Sequence, residues 1–285
     1  MIYKNFLSIF FLLLLFVNCS GKFVEVPPAA NGLNFDEKEP HAQFTAILQN
    51  YVKDGKVNYT ALCKDTRLDT YISRLSATNP ETISNANDKL AFWLNAYNAF
   101  TLKVICDNYP VKSINDLHFG GLAIGYVLKK TIWDKKFVNI NGKSISLNYI
   151  EHKIIRASRK NPNAPFSEIC LETPCPRAHF ALVCASIGCP DLRLEAYEGD
   201  KLDEQLTDQA VQFFNDTDKY YFDADNKQAH LSKILDWFDS DFGQTDEEIL
   251  LFVAQYIPDG IAQKIRQNPG EWEIKHTDYD WNLNE

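Results

Sequence analysis

The stretch that decides the fold is "AFWLNAYNAF", residues 91–100, within the longer run "KLAFWLNAYNAFTLKVIC", residues 89–106. The run predicts a helix that begins after Asp88 as its N-cap and is apolar on nearly every side, which is the pattern of a buried helix. At 100° per residue, Asn95 and Asn98 share one stripe of this helix. A buried carboxamide with unmet hydrogen bonds costs about 1–3 kcal/mol. We therefore expect the two side chains to anchor a polar cluster in the core or to face a site.

The segments around this run predict further helices and a few strands. Helical spacing recurs at residues 40–52, 68–76, 146–158, 202–215 and 246–257. Asn141-Gly142 lies between alternating residues and predicts a hairpin. The short apolar run "HFALVCA", residues 179–185, predicts a buried strand followed by a loop. We therefore predict an α+β fold, a helix-rich single domain with a small, mainly antiparallel sheet.

The composition bounds the classes of partner. The chain has 285 residues and a formal net charge of -9. A nucleic-acid-binding surface needs a basic stripe, so we predict no nucleic-acid partner.

The first residues have the pattern of an export signal. Lys4 precedes the apolar run "FLSIFFLLLLFV", residues 6–17, which is too short for a membrane span, and Cys19 follows it. We predict a signal peptide at residues 1–18, a lipid on Cys19, a tether at residues 19–40 and one globular domain at residues 41–285. The predicted location is the cell envelope, where the lipid on Cys19 holds the protein to a bacterial membrane. The leaflet stays open.

Six cysteines follow Cys19, and they can pair in 15 ways. They are Cys63, Cys106, Cys170, Cys175, Cys184 and Cys189. Because an exported protein meets an oxidising compartment, we expect at least one of these pairs to be a disulfide.

Five motifs in order resemble the domain of unknown function family 547. They are "KLAFWLNAYNAFTL" (89–102), "SLNYIEHKIIR" (146–156), "HFALVCASIGCPDLR" (179–193), "LSKILDWFDSDFG" (231–243) and "YDWNLN" (279–284). The resemblance spans residues 41–285. It implies a domain often exported or lipid-anchored in bacteria, and no particular reaction. The motifs gather the unusual polar residues, namely Asn95, Asn98, Glu151, His152, His179, Cys184, Cys189, Asp236 and Asp241, together with Trp237.

One hypothesis from these residues is cysteine chemistry, that is, a hydrolase or transferase distantly similar to transglutaminase-like and papain-like folds. Its candidate catalytic residues are Cys184, His179, Asn95 and Glu151, with Cys189 as a second candidate thiol and His152 as a second candidate base. Two observations oppose it. No cysteine begins the Asn95 helix, and residues 179 and 184 on one strand would point to opposite faces.

The main interpretation is a binding or structural module with a structural polar cluster of Asn95, Asn98, His152 and Asp236. Its protein, peptide or glycan partner stays open. Cys184 and Cys189 have a spacing at the edge of that of zinc ligands. Because no second close Cys/His pair completes a zinc site, we predict no metal and no cofactor. A structural metal-binding domain is the second alternative function.

Overall fold

The computed structural model describes residues 21–118, 131–156, 165–166 and 175–285. Its α-helices span Ala42–Tyr51, Tyr59–Leu62, Arg67–Ala77, Ala86–Cys106, Leu147–Tyr149, Leu202–Phe213, Lys233–Trp237, Asp239–Phe242, Asp246–Val253 and Asp259–Gln267. A π-helix spans Ile150–Ile155, and the longest of the 3-10 helices spans Pro176–Phe180. The fold is a helix-rich α+β fold, as predicted.

The Ala86–Cys106 helix, here the long helix, lies in the middle of the core. Every residue from Leu90 to Ile105 is buried, which confirms the interpretation of its sequence. Its N-cap is Asn85, whose side chain accepts from the backbone N–H groups of residues 87 and 88. The prediction of Asp88 as N-cap was wrong by one turn. Asp88 lies instead in the first turn, where a carboxylate is favoured by the helix dipole.

In the described residues, seven short strands form three small sheets. Strands β1 (Val52–Lys53) and β2 (Lys56–Val57) form one hairpin, and β3 (Val138–Ile140) and β4 (Lys143–Ile145) form another. The second hairpin turns at Asn141 and Gly142, with φ of 47° and 72°. Both residues are therefore left-handed, as the Asn-Gly signal predicts. In the third sheet, β6 (Gln228–Leu231) pairs antiparallel with β5 (Tyr221–Asp223) and parallel with β7 (Glu273–His276).

The predicted strand at residues 179–185 was wrong. Residues 179–180 end the Pro176–Phe180 helix, and residues 181–185 continue as a buried segment without a strand partner. We call residues 181–190 the cysteine segment. It runs beside the long helix, where the Asn98 side chain binds the backbone of residues 181 and 183, and its residues 185–188 bind the backbone of residues 280–284.

The apolar side chains of the described ranges form two hydrophobic clusters. The first surrounds the long helix, and the second packs around the three-stranded sheet and the helices from residue 202 onward. Tyr279 packs against both clusters. Ala178 and Ala181 belong to the first cluster, whereas Phe180 between them belongs to the second. The chain around His179 therefore passes between the clusters.

Residues 21–40, predicted as a tether, lie on the domain. The Gly21 N–H donates to the carbonyl oxygen of Leu117 at 3.1 Å, and the Lys22 N–H donates to Asn108 Oδ1 at 2.6 Å. The Phe23 ring stacks on Phe137 with 4.7 Å between ring centroids. Across the described ranges, no helix is both long enough and apolar enough to cross a membrane.

Candidate functional site

Asn95 and Asn98 each bind a backbone segment through two hydrogen bonds. The Asn95 side chain donates to the Tyr197 carbonyl at 2.8 Å and accepts from the Tyr197 N–H at 2.9 Å. The Asn98 side chain donates to the Ala181 carbonyl and accepts from the Val183 N–H, both at 2.9 Å. Asn98 thus supplies to the cysteine segment the two hydrogen bonds that a neighbouring strand would supply. Both residues are structural anchors.

A cavity of about 470 Å³ opens beside the cysteine segment, where the two hydrophobic clusters meet. Its size is that of a small-molecule site. Aromatic side chains form much of its wall, namely Tyr97, Trp133, Trp237, Phe238, Tyr279 and Trp281. Trp237 is 45% exposed although its ring contacts Tyr279 and Trp281. A large exposed aromatic at the edge of a cavity is a feature of ligand sites.

The π-helix places two ionisable side chains in this wall. The Arg156 N–H donates to the Glu151 carbonyl at 3.0 Å, a bond that spans five residues. Glu151 and His152 both line the cavity, although on a regular α-helix of 100° per residue neighbouring side chains point well apart. The wider turn of a π-helix changes side-chain directions, and such turns are frequent at functional sites.

Glu151 is a buried carboxyl group. Burial raises its pKa to about 7 from an ordinary 4.5, and the nearby Asp241 adds to this rise. The Arg156 charge and a hydrogen bond from Tyr97 oppose the rise without cancelling it. Near neutral pH, Glu151 is therefore divided between its neutral and charged forms, which is typical of functional sites.

Asp241 binds both His179, which lines the cavity, and Arg156, which does not. His179 Nε2 lies 2.7 Å from Asp241 Oδ2, and Arg156 binds both oxygens of Asp241, at 2.5 and 3.1 Å. Burial alone would raise the pKa of Asp241, but these hydrogen bonds hold it well below its ordinary value. Burial lowers the pKa of His179. His179 is therefore a neutral imidazole that donates its Nε2 proton to a charged Asp241.

His152 lies beside the same group. Its Nδ1 is 2.9 Å from Arg156 Nη1. Burial, together with the Arg156 charge, lowers the pKa of His152 to about 4. His152 is therefore neutral at physiological pH and can accept a hydrogen bond from the arginine.

A disulfide joins Cys184 to Cys189 in the cavity wall, with 6.1 Å between the Cα atoms. A second disulfide joins Cys63 to Cys106, at the end of the long helix. The structure thus agrees with the expectation of disulfides among the later cysteines. Cys175 is in no disulfide, and Cys170 lies outside the described residues.

The middle of the chain matches a known protein family. Residues 80–214 match the family model described as "Protein of unknown function, DUF547". We call residues 80–214 the DUF547 region. No curated protein and no solved structure matches the chain. The resemblance to family 547 is confirmed over this range, which is shorter than the predicted 41–285.

The cavity draws on the DUF547 region and on residues beyond it. The region contributes the ionisable residues Glu151, His152 and His179 and both cysteines of the disulfide. Trp237, Phe238, Tyr279 and Trp281 follow it in the chain. Much of the aromatic wall is therefore supplied by residues outside the matched range.

Three of the four catalytic candidates meet at the cavity, and one does not. His179, Glu151 and Cys184 line the cavity together, so the expectation that His179 and Cys184 point apart was wrong because neither lies on a strand. The Cys184 sulfur is bonded to Cys189 and is not a free nucleophile in this state. Asn95 binds Tyr197 and lies outside the cavity wall.

The predicted polar cluster of Asn95, Asn98, His152 and Asp236 does not form as one group. The two asparagines bind different segments, and His152 lies beside Arg156 in the cavity wall. Asp236 is 45% exposed and pairs with Lys233 at 3.0 Å. Its side chain faces outward because a short surface helix carries it.

The sequence did not place Arg156 or most of the aromatic wall in the site, and it grouped Asp241 with the motif residues without giving it a role. Asp241 stands in the motif "LSKILDWFDSDFG", and Arg156 closes the motif "SLNYIEHKIIR". Their presence in two motifs was a signal, but their pairing depends on the packing of distant helices. Among the described residues, no group of three or more His, Cys, Asp or Glu side chains is placed to hold a metal ion.

Proposed function

We propose that this protein is an exported, lipid-anchored binding module whose cavity takes up a small organic ligand carrying an ammonium group. The observation that carries the proposal is the cavity itself, in which six aromatic side chains surround a buried carboxyl group. The faces of aromatic rings attract cations, and a desolvated site strengthens this attraction.

The charges around the cavity favour a cation over an anion. Among the described residues that line it there is no lysine and no arginine, so an anionic ligand would meet no cation from this part of the chain. Asp241 is already neutralised by Arg156, which binds both of its oxygens. Glu151 is the lining carboxyl group that remains for the ammonium group of a ligand. Such a ligand would stabilise the charged form of Glu151 in its buried position.

Catalysis by a cysteine nucleophile has less support from the same geometry. A thiolate must be free to attack, and the Cys184 sulfur is held by Cys189. His179 has the oriented imidazole that a general base needs, but its partner nucleophile is missing in the oxidised state. The binding function needs no such group.

The support for export and lipid attachment comes from the first residues of the chain. Lys4, the apolar run at residues 6–17 and Cys19 have the order of a lipoprotein signal. An acyl chain on Cys19 would hold the module on a membrane, where it could collect its ligand from the surrounding fluid.

A fluorescence titration tests the ligand class, because Trp133, Trp237 and Trp281 line the cavity. The probe is choline, and its control is dimethylbutanol, which has the same branched shape without the charge. We expect choline to bind roughly two- to thirtyfold more tightly, since cation–π contacts contribute roughly 0.5–2 kcal/mol. Equal binding of both molecules, or preferential binding of acetate, would contradict the ammonium class. No binding of any of the three would contradict the binding function.

Two variants locate the binding. Trp237→Ala removes an exposed aromatic of the cavity edge and should weaken choline binding by about fivefold or more. Tyr221→Ala is the matched control, because Tyr221 is 48% exposed and lies outside the cavity wall. Equal effects of the two variants would show that choline binds elsewhere.

A further inference from the structure

The Cys184–Cys189 disulfide differs from an ordinary structural crosslink in its surroundings. Both cysteines line the cavity, where a small molecule can enter. Cys184 is partly exposed, whereas Cys189 is 3% exposed. An incoming group therefore reaches the Cys184 sulfur more easily, and Cys189 lies behind it.

Hydrogen-bond donors surround the two sulfur atoms. The Cys184 N–H donates to Cys189 Sγ at 2.8 Å, and the Tyr279 hydroxyl lies 3.2 Å from each sulfur. The Ser186 hydroxyl lies 3.1 Å from Cys184 Sγ and donates to the Tyr279 hydroxyl at 3.2 Å, which leaves the Tyr279 proton for the sulfurs. A disulfide sulfur is a weak acceptor, whereas a thiolate is a strong one. These donors therefore favour the reduced, charged state of the pair.

The second disulfide has different surroundings. The groove at Cys63 and Cys106 contains Lys64 and Lys103 as well as Asp65, Asp69 and Asp107; Lys103 pairs with Asp69 and Asp107, and Arg67 pairs with Asp65. Across the described part of the chain, no hydrogen bond reaches the sulfurs of Cys63 or Cys106. Thiolates formed there would therefore lack the hydrogen-bond donors that surround Cys184 and Cys189. The Cys63–Cys106 disulfide is therefore a control, within the same chain, for the reduction of Cys184–Cys189.

The backbone on both sides of Cys184 and Cys189 is held independently of the sulfur–sulfur bond. Asn98 binds residues 181 and 183. The Ile187 N–H donates to the Asn282 carbonyl at 2.9 Å, and the Gly188 N–H donates to the Asp280 carbonyl at 2.8 Å. Reduction would therefore leave the two sulfurs close together, ready to form the bond again.

We infer that Cys184–Cys189 is a redox-active disulfide that exchanges with a thiol entering the cavity. This activity goes beyond the proposed binding function and does not rest on it. The thiolate of the substrate attacks Cys184 Sγ, the Cys184–Cys189 bond breaks, and its electron pair leaves on Cys189 Sγ. The Cys184 N–H and the Tyr279 hydroxyl stabilise the Cys189 thiolate.

A second substrate thiolate then completes the exchange. It attacks the substrate sulfur of the mixed disulfide, which releases a substrate disulfide and leaves Cys184 as a thiolate. Two thiols are oxidised to one disulfide, and the protein disulfide is reduced by two electrons. The two protons of the thiols pass to the cysteines or to water.

The test equilibrates the full chain with mixtures of reduced and oxidised glutathione and follows each cysteine by differential alkylation and mass spectrometry. We expect Cys184 and Cys189 to be reduced at a ratio of reduced to oxidised glutathione at least about tenfold lower than Cys63 and Cys106 need, because a hydrogen bond to a charged group changes an equilibrium by roughly this factor. Reduction of both disulfides at the same ratio, or of Cys63–Cys106 first, would overturn the inference.

Two kinds of variant sharpen the test. Tyr279→Phe removes one donor and keeps the ring, so it should raise the required glutathione ratio by roughly tenfold, whereas Tyr221→Phe should leave it unchanged. Cys189→Ser should form a stable mixed disulfide at Cys184 when oxidised glutathione is added, and Cys106→Ser should form much less at Cys63. An unchanged ratio in Tyr279→Phe would refute the role of the donors. If Cys189→Ser does not fold, the titration of the unaltered protein decides the inference alone.

Discussion

Replacing Glu151 by glutamine tests whether the folded protein destabilises the charged form of the Glu151 carboxyl group. Burial raises the Glu151 pKa from the ordinary 4.5 to about 7 in the folded protein. The folded state therefore holds the Glu151 proton more tightly than the unfolded state does. It follows that Glu151 lowers the free energy of unfolding as the pH rises from 4.5 through about 7. Glutamine has nearly the same shape and does not ionise.

The size of the effect follows from the two pKa values. A difference of one pH unit corresponds to about 1.36 kcal/mol, so the interval from 4.5 to about 7 sets a ceiling of roughly 3 kcal/mol. We expect Glu151→Gln to unfold with a free energy roughly 1–3 kcal/mol higher than the unaltered protein at about pH 9. At about pH 4 the two proteins should agree within about 0.5 kcal/mol.

Urea unfolding at the two pH values measures this difference. Glu25→Gln is the control, because Glu25 is an exposed glutamate on the surface. Other titrating groups, such as Glu198, whose pKa burial raises to about 8, act in both proteins and cancel from the comparison. A stability gain that is equal at both pH values would refute the reasoning. A loss at about pH 9 would show that the folded protein pairs the charged carboxylate.

Four further predictions concern ligand binding, stability and lipid attachment. The affinity for choline should rise as the pH increases through about 7, because only the charged form of Glu151 attracts the ligand, and Glu151→Gln should flatten this dependence in a fluorescence titration. Asn98→Leu leaves two buried backbone groups unpaired and should lower the free energy of unfolding by about 3 kcal/mol, whereas Asn87→Leu, on the exposed first turn of the same helix, should change it by less than about 0.5 kcal/mol. Because Asn95 and Asn98 share no partner, the losses in Asn95→Leu and Asn98→Leu should add in the double variant within about 0.5 kcal/mol, and a large coupling would contradict the separate contacts seen here. Cells supplied with a fatty-acid analogue should label the unaltered protein and not Cys19→Ala; equal labelling would exclude attachment at Cys19.

Local sequence rules predict much of the secondary structure. The long helix is recognisable because its apolar residues cover all sides, and the β3–β4 hairpin because Asn141 and Gly142 accept positive φ. The same rules failed at residues 181–185. A short apolar run predicts a strand because its backbone is assumed to bond to the backbone of another strand. Here the partner is the Asn98 side chain, a contact across more than 80 residues of chain.

The site was predictable in part. Glu151, His179 and Cys184 are unusual polar residues within motifs, and the structure brings all three to one cavity. Their chemistry was not predictable. The bond between Cys184 and Cys189 requires knowing where the sulfurs lie, and the pairing of Asp241 with His179 joins residues 62 positions apart. The π-helix also changes the direction of His152 in a way that a count of 100° per residue does not describe.

The seating of residues 21–24 on the domain bears on how the protein would stand on a membrane. From Cys19 to Gly21 the chain can reach at most about 7 Å, and Gly21 is already buried against Leu117. A lipid on Cys19 would therefore hold the face of the domain around Gly21 against the headgroups. A long flexible tether would instead let the domain rotate freely. Lys22 and Lys135 are exposed beside Gly21, and the Lys135 ammonium group donates to the Gly21 carbonyl. These two lysines would contact the anionic headgroups and so set the orientation of the domain, and of its cavity, on the membrane.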